Sequence, residues 1–556
     1  MMNIKQFLYG ATAVLAVSCF SACYSDDSTL ETEATKVEQV TITDEGENII
    51  YTGFLEQLVV SPSVSRGTNT SPAGLTYKWE ITETPSTTQR QAANWIELGT
   101  EPELRTEMIM PVNTAPYTLR LTVTDTENGG LQNFYTWQVY VNSAFLDGIV
   151  VADTRDGATS DLSLIMNDKV TLNFSGNDRV LMQILENASE KINGLVTQLT
   201  YNILGTFWGS HTNQLWTVTD DGELKLFDTQ EFTVTLENAQ EAIIPLQAGQ
   251  EKVEKLFMSD QFFFAKTNTS LYQMNPQNFH LFGAADAVGS TYDIDNNVVA
   301  TIHTFNTSYQ TAVWYDASKS SFVYVNPGIM GVTYGTDWTA NESFDPANVP
   351  GCTAVAAEMT VDGKTPAMLL KDKSTGEYAI YTLVRYVAEQ GVWNDDWTVY
   401  TPTSPEVPCG AGNKYVIPAA GKQLLDQAVS TFFAINQSLL YVATPDGIYV
   451  INFAGQTVSV GSSPVYTPDS GETITKAGMF TQGVYNVSST ELGEGGNYTE
   501  APWHAKAVIV ATQSGEYEGK VSLVPMTQIG TGNLDKSQAK TYSGFGKILD
   551  FCSLGK

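Results

Sequence analysis

The sequence predicts an all-β protein in two parts, a small sandwich followed by a β-propeller, and two observations carry that prediction. The first is repetition. In SLLYVATPDGIYVINF (438–453), Leu440, Val442, Ile448 and Val450 alternate with other residues on either side of Pro445-Asp446-Gly447, where the Gly is expected to supply the positive φ that the chain needs to reverse. Related hairpins begin at Asn213, Gln261 and Ala367, with weaker copies near Gly148, Thr311 and Lys506. About seven units at a spacing of roughly sixty residues are the signature of a propeller or a solenoid. Flanking apolar runs such as AIIPL (242–246) and GVTYG (331–335) bring each hairpin to a four-stranded blade, so a seven-bladed propeller is expected over 143–556.

The second observation is composition. The 556 residues are 42% hydrophobic, 11% aromatic and 16% charged, too apolar for disorder and numerous enough for more than one core. Thr, Val, Tyr and Gly-rich turns dominate, and helical periodicity is confined to a short patch or two such as 187–199.

In chain order, residues 1–22 carry one Lys, an apolar run from Phe7 to Val17 and small residues before a cysteine, the pattern of a secretory signal too short to last as a membrane span. Phe20-Ser21-Ala22-Cys23 resembles a bacterial lipobox, with Phe20 where Leu is usual, and the resemblance makes Cys23 the lipidated residue. Cys19 is the rival, but the acidic segment starts only after Cys23. That segment, Tyr24-Ser25-Asp26-Asp27-Ser28, resembles the export signal of Bacteroidetes-type lipoproteins, which implies a lipid-anchored protein on the outer membrane, facing the cell exterior. Residues 23–36 read as an acidic flexible tether.

Residues 37–142 are short alternating strands separated by Pro, Gly, Asn and Ser turns. The runs Leu75-Thr76-Tyr77-Lys78-Trp79-Glu80 and Tyr117 to Asp125 (YTLRLTVTD) resemble the Tyr-x-Trp and YTVTLTVTD strands of PKD domains, an immunoglobulin-like sandwich in which Trp79 would be core. The usual FGDG turn is replaced by ITETPSTTQR. Lipobox, PKD-like sandwich and a β-repeat region ending in GKILDF together are similar to the PKD-like family lipoproteins of the Bacteroidetes. The closing run Lys547 to Phe551 is expected to complete the first blade, with Ile548 and Phe551 buried beside Ile149 and Val151.

The chain holds 61 acidic against 29 basic residues, a formal charge of −32, so nucleic acid should be repelled. Cys352 and Cys409 are either a disulfide or buried thiols, and no Cys/His spacing suits zinc. The four histidines lie apart, and no GxSxG elbow, Walker loop or dinucleotide fingerprint occurs. No cofactor is expected. Calcium is the one metal with candidate donors, Asp153, Asp156 and Asp161 or Asp293, Asp295 and Asn296; hairpin turns look the same without it, and the turn reading is preferred.

Trp393, Trp397, Trp338 and Trp208 stand in polar, turn-rich contexts. They either bind a ligand, stacking on a sugar face or gripping a peptide, or plug the spaces between blades. The family resemblance implies a non-enzymatic surface lipoprotein that helps a Sus-like TonB-dependent transporter and its lid lipoprotein to capture nutrient oligomers, peptide or glycan. A structural scaffold of the importer and a propeller glycosidase or lyase working through two carboxylates are the alternatives.

Overall fold

The computed structural model describes residues 38–555 apart from 45–47, 55, 84–93, 114, 144, 146, 173, 175–176, 188–189, 206–210, 244–250, 260–261, 275–281, 285–293, 301–311, 328–331, 361–364, 387–388, 395, 436 and 483–500. It is all-β and divides into two compact units, Met1–Asn142 and Ser143–Lys556. Among the described residues no helix is long and apolar enough to cross a membrane. Cys23, Trp208, Asp293 and the leader and tether lie outside the described residues.

In the first unit a five-stranded sheet runs in the order Ile49–Gly53, Leu131–Asn142, Tyr117–Asp125, Leu75–Glu83, Ile96–Gly99, and two further strand pairs accompany it. Tyr117–Asp125 alternates buried and half-buried residues along its whole length, as period-2 patterning requires of a strand with one face on a core. It pairs with Leu75–Glu83 so that Trp79 stands opposite Leu121. Trp79 is fully buried and stacks on Trp137 with ring centroids 5.5 Å apart. Both indoles bury their area without stranding a donor, because Trp79 Nε1 donates to Glu101 O (2.8 Å) and Trp137 Nε1 to Asp44 Oδ2 (2.7 Å).

In the second unit, seven antiparallel sheets each follow a four-stranded path among the described residues. Their leading strands are β1 (Val196–Gly205), β2 (Val253–Ser259), β3 (Ile294–Ala300), β4 (Cys352–Thr360), β5 (Ser430–Phe433), β6 (Thr473–Met479) and β7 (Lys547–Leu554). The seven hairpins read from the sequence are the two middle strands of these sheets. In the hairpin at 438–453, Thr444 pairs with Gly447 across Pro445-Asp446; Gly447 is not at the expected positive φ, and its lack of a side chain instead admits Pro464, whose Cβ would lie 2.8 Å from a Cβ there. GVTYG supplies a fourth strand, Val332–Gly335. In the sheet of β1 the fourth strand is Val234–Leu236; of AIIPL, 244–246 lie outside the described residues, and Ala242 ends the one-turn helix Ala239–Ala242, capped by Asn238, whose side chain accepts from Glu241 N. The helical reading of 187–199 also fails among the described residues, where the helix is Ile184–Asn187, Ile192–Asn193 is a strand and the chain enters β1 at Val196.

The leading strands touch in sequence, β1 to β2 and onward to β7, and β7 returns to β1, closing a ring. The last strand of the chain therefore leads the sheet whose other strands, Gly148–Thr154, Thr159–Met166 and Arg179–Leu181, are the first of the unit. Val151 pairs with Phe551 and Asp153 with Ile548; Ile548 is buried and Phe551 half-buried on the core that holds Ile149 and Val151. Gly546 makes this entry possible, because a Cβ there would lie 2.2 Å from Thr154 O.

A local irregularity repeats around the ring. Register shifts set an extra residue ahead of Gln198 in β1, Lys255 in β2, Ala356 in β4, Lys476 in β6 and Asp550 in β7. A bulge re-aims the side chain that follows it. Gln198 Oε1 accepts Leu256 N from β2 (2.9 Å), and Asp550 Oδ2 accepts Leu199 N from β1 (2.7 Å). Ser430 Oγ, at the start of β5, accepts Ala477 N from β6 (3.0 Å). Each tie satisfies a main-chain N–H that faces the neighbouring sheet rather than its own ladder.

Candidate functional site

Among the described residues, the exposed aromatic groups of the second unit concentrate on one hairpin. Gln390–Trp393 and Tyr400–Ser404 pair antiparallel, with Trp393 opposite Tyr400, and the hairpin is inserted between the third and fourth strands of the β4 sheet, Tyr378–Val384 and Gly410–Val416. Its turn is built by Asn394. The Asn394 Oδ1 atom accepts N–H groups from both Thr398 and Val399 (2.9 Å each), while Asn394 N donates to Val399 O and Trp397 N donates to Asn394 O. The Thr398 hydroxyl donates to Asp396 Oδ1 (2.7 Å) and is the main cause holding that carboxyl below its usual range.

This turn forces Trp397 to φ +58°. A bulky side chain gains nothing locally in the left-handed region and costs about 1–3 kcal/mol there. The result is presentation: Trp397 is 74% exposed, its ring centroid 6.2 Å from that of Trp393, and Trp393 in turn lies 5.2 Å from Tyr400. Val392 and Val399 are exposed beside them, giving a projecting apolar surface edged by Asn394, Asp396 and Thr398.

Trp338 has a different environment. Its Nε1 donates to Phe322 O (2.8 Å), its ring lies 5.1 Å from Tyr324 at 86°, and Thr339 bridges to Gly410. It is half-buried between two sheets, which is the plug role, and its polar atom is spent on main chain. Cys352 and Cys409 are buried free thiols in the same core; Cys409 Sγ donates to Asp337 O (3.1 Å), and burial pushes the Cys352 thiol up.

Of the aspartates weighed for calcium, Asp156 and Asp161 are occupied by protein donors. Asp156 Oδ1 accepts from Ala158 N and Thr159 N, its Oδ2 takes the Thr159 hydroxyl, and these bonds hold its carboxyl far below the usual range. Asp161 caps Ile184–Asn187 by accepting Leu185 N and Glu186 N, and Asp153 accepts Gly546 N. Asp295 and Asn296 lie in β3.

Sequence reasoning did not find the polar groups on the ring. Lys476 Nζ pairs with Asp550 Oδ1 at 2.7 Å and also donates to Leu549 O (3.3 Å). Glu358 of β4 has its carboxyl pushed up to about 7 by burial, with Met359 N as a hydrogen-bond donor. No local motif marks these residues; their only signal is their place after, or two beyond, a bulge.

No protein-family model and no curated protein sequence matches the chain. Among solved structures it is similar to apo AztD from Citrobacter koseri, at 7% identity and a TM-score of 0.34, over 86% of this chain and 98% of that one. It is also similar to the N-terminal domain of Nup159, at 11% identity and a TM-score of 0.30, over 73% of this chain and 86% of that one.

Proposed function

We propose that this protein is a non-enzymatic, lipid-anchored surface module that captures nutrient oligomers through the aromatic hairpin and hands them to a Sus-like TonB-dependent transporter and its lid lipoprotein. In this reading Cys23 carries the lipid on the outer membrane, the first unit is a PKD-like immunoglobulin sandwich, and the second is a seven-bladed propeller closed by β7. The closed ring of leading strands supports the propeller, and the sheet built around Trp79 and Tyr117–Asp125 supports the sandwich.

The observation that carries the binding role is the exposed Trp393–Trp397 pair, held outward by a turn that places a tryptophan at positive φ. Rigid rings with two rotatable bonds supply contact area at little entropic cost, and they suit a sugar face or a peptide chain. The scaffold reading draws on the same surface, since Val392 and Val399 beside the rings also suit a protein contact. A two-carboxylate hydrolase would need free acids on the ring, and Asp550 is engaged by both Lys476 and Leu199.

The test is a pull-down from solubilised outer membranes with the tagged full-length protein, followed by calorimetry against glycan and peptide mixtures. Capture of a transporter with its lid, together with binding weakened by about tenfold or more in the Trp393→Ala and Trp397→Ala variants, is the expected result. Transporter capture without ligand heat assigns the scaffold role instead. Ligand binding indifferent to both substitutions removes the hairpin from the site.

A further inference from the structure

The third strand of the β5 sheet, Gly447–Asn452, is covered along its outer edge in two places that do not meet. The fourth strand, Ser459–Val460, pairs with Ile451 and Asn452, and Tyr466 bridges to Ile448. Between these the chain arches away. Gly461 N still donates to Val450 O (2.9 Å), and the ladder resumes only where Val465 N donates to Ile448 O (2.7 Å). The far wall of the gap comes from the β6 sheet, where the loop after the strand Gly519–Pro525 brings residues 531–534 up to Val450. Gly532 permits that approach: it sits at φ +75°, and a Cβ on it would lie 2.9 Å from both Cγ1 and Cγ2 of Val450. The loop is held from inside the β5 sheet by the buried Tyr441 hydroxyl, which donates to Gly532 O (3.1 Å).

The cleft so formed has a volume of about 630 Å³, within the range of about 300–1,000 Å³ usual for small-ligand sites. Its polar lining is Asn452, Ser459, Ser462, Ser463, Thr531 and Asn533, while Val450, Pro464 and Leu534 supply apolar surface. Among the described residues no charged or aromatic side chain lines it. Asp535 and Lys536, next along the chain, are engaged by Ser537 N and Asp469 Oδ1. The hydroxyls of Ser459, Ser462 and Ser463 and the carboxamide of Asn533 have no protein partner among the described residues, so groups that both donate and accept stand open in the cleft.

That lining discriminates between ligand classes. A carboxylate, phosphate or ammonium group would shed water here and meet no counter-charge. An extended peptide adding to the outer strand would find only the two residues Ser459–Val460 before the arch interrupts the ladder. A sugar ring offers hydroxyls that donate and accept around its rim, and C–H faces that suit Val450, Pro464 and Leu534. We propose that the cleft between the β5 and β6 sheets is a binding site for neutral carbohydrate, held by these free hydroxyls and the Asn533 carboxamide. It is distinct from the aromatic hairpin of the β4 sheet and rests on no part of the role proposed for that hairpin.

The test is retention of the full-length protein on an array of neutral and acidic oligosaccharides. The best-retained neutral glycan is then titrated calorimetrically against a Trp393→Ala, Trp397→Ala background, which removes the hairpin's contribution. Binding at one site per chain is expected to persist in that background. Adding Asn533→Ala should weaken it by about fivefold, the loss of one neutral hydrogen bond, and adding Ser463→Trp, which fills the cleft, should abolish it. Both positions are exposed and their side chains hold no other element, so both variants should melt with their parent. Sugar binding lost with the hairpin tryptophans alone assigns the sugar to the hairpin and overturns the cleft. Binding indifferent to both cleft substitutions overturns it as well. So does an array that retains no neutral glycan, or a tryptic peptide digest whose binding, rather than the sugar's, is lost in Ser463→Trp.

Discussion

In the first unit the strand Ile49–Gly53 pairs on one side only, in parallel with Leu131–Asn142, and its other edge ends the sheet; in the second unit the leading strand of every sheet meets the leading strands of its two neighbours. The first unit relies on one continuous core, from Val40 to Val141, locked by two buried indoles. The ring distributes its apolar contacts over separate cores between successive sheets, such as the one joining Ile149 and Val151 to Ile509 and Leu523, and the one joining Leu369 and Ile380 to Leu440 and Val442. A single core fails locally where it is cut, whereas a ring depends on closure, so equal losses of packing should have unequal reach.

Removing residues 547–556 is the severest way to break that comparison. The sheet of Gly148–Thr154 loses its leading strand, its ladder to β7 and the Asp550 ties, and the expected cost is on the order of 5 kcal/mol or more. Hydrogen exchange should show protection lost in peptides from several sheets of the second unit. If only the Gly148–Met166 peptides lost protection, closure would not be what unites the ring. Trp79→Ala is the counterpart in the first unit. It removes a fully buried indole and should cost about 3–5 kcal/mol, with faster exchange confined to peptides of residues 38–142.

Within the ring, Asp550→Ala leaves Lys476 without its carboxylate and Leu199 N without its acceptor, for an expected loss of about 3 kcal/mol in chemical denaturation. Adding Lys476→Met should recover part of that loss, because the stranded charge is removed along with its partner. Equal stability of single and double variants would show that the ammonium is solvated rather than stranded.

The β4 sector offers a pH test. Glu358 has its carboxyl pushed from an ordinary value of 4.5 up to about 7 by burial. The unfolded chain releases this proton near 4.5 while the folded chain keeps it, so the group leaves stability untouched below 4.5 and costs stability progressively up to about 7. With water reaching the half-buried side chain, the difference from Glu358→Gln should grow by about 1 kcal/mol across that window. A wild-type protein that tracked Glu358→Gln at every pH would place the carboxyl in open water.

The same contrast governs what the sequence revealed. Hairpins were legible because everything that makes them is local: alternation, a two-residue turn such as Pro445-Asp446, and a second alternating run. The strands with Trp79 and Leu121 were legible for the same reason. The leading strands were harder to read, since the bulge before Gln198 interrupts the period-2 pattern of β1 just where 187–199 suggested a helix. Ring ties were invisible, because Leu199 and Asp550 are 351 residues apart and neither belongs to a motif. The tryptophans divide likewise: Trp338 and Trp397 have similar neighbours in sequence, but the sheet opposite Trp338 supplies Phe322 O and Tyr324 to receive it.

The smallest expected effect asks whether the exposed hairpin is shaped for stability or for contact. Trp397 has few contacts to lose and sits at φ +58°, so Trp397→Gly relieves backbone strain but gives the unfolded chain more freedom; the two nearly cancel, and stability should rise by at most about 1 kcal/mol. A residue selected for folding would show the opposite sign. If Trp397→Gly instead destabilised the protein by about 1 kcal/mol or more, the ring would be contributing to a packed hairpin through Trp393 and Tyr400, and the case for a presented binding surface would weaken. Gained or unchanged stability together with lost ligand heat would mean that the strain of this turn is maintained for what Trp397 touches outside the chain.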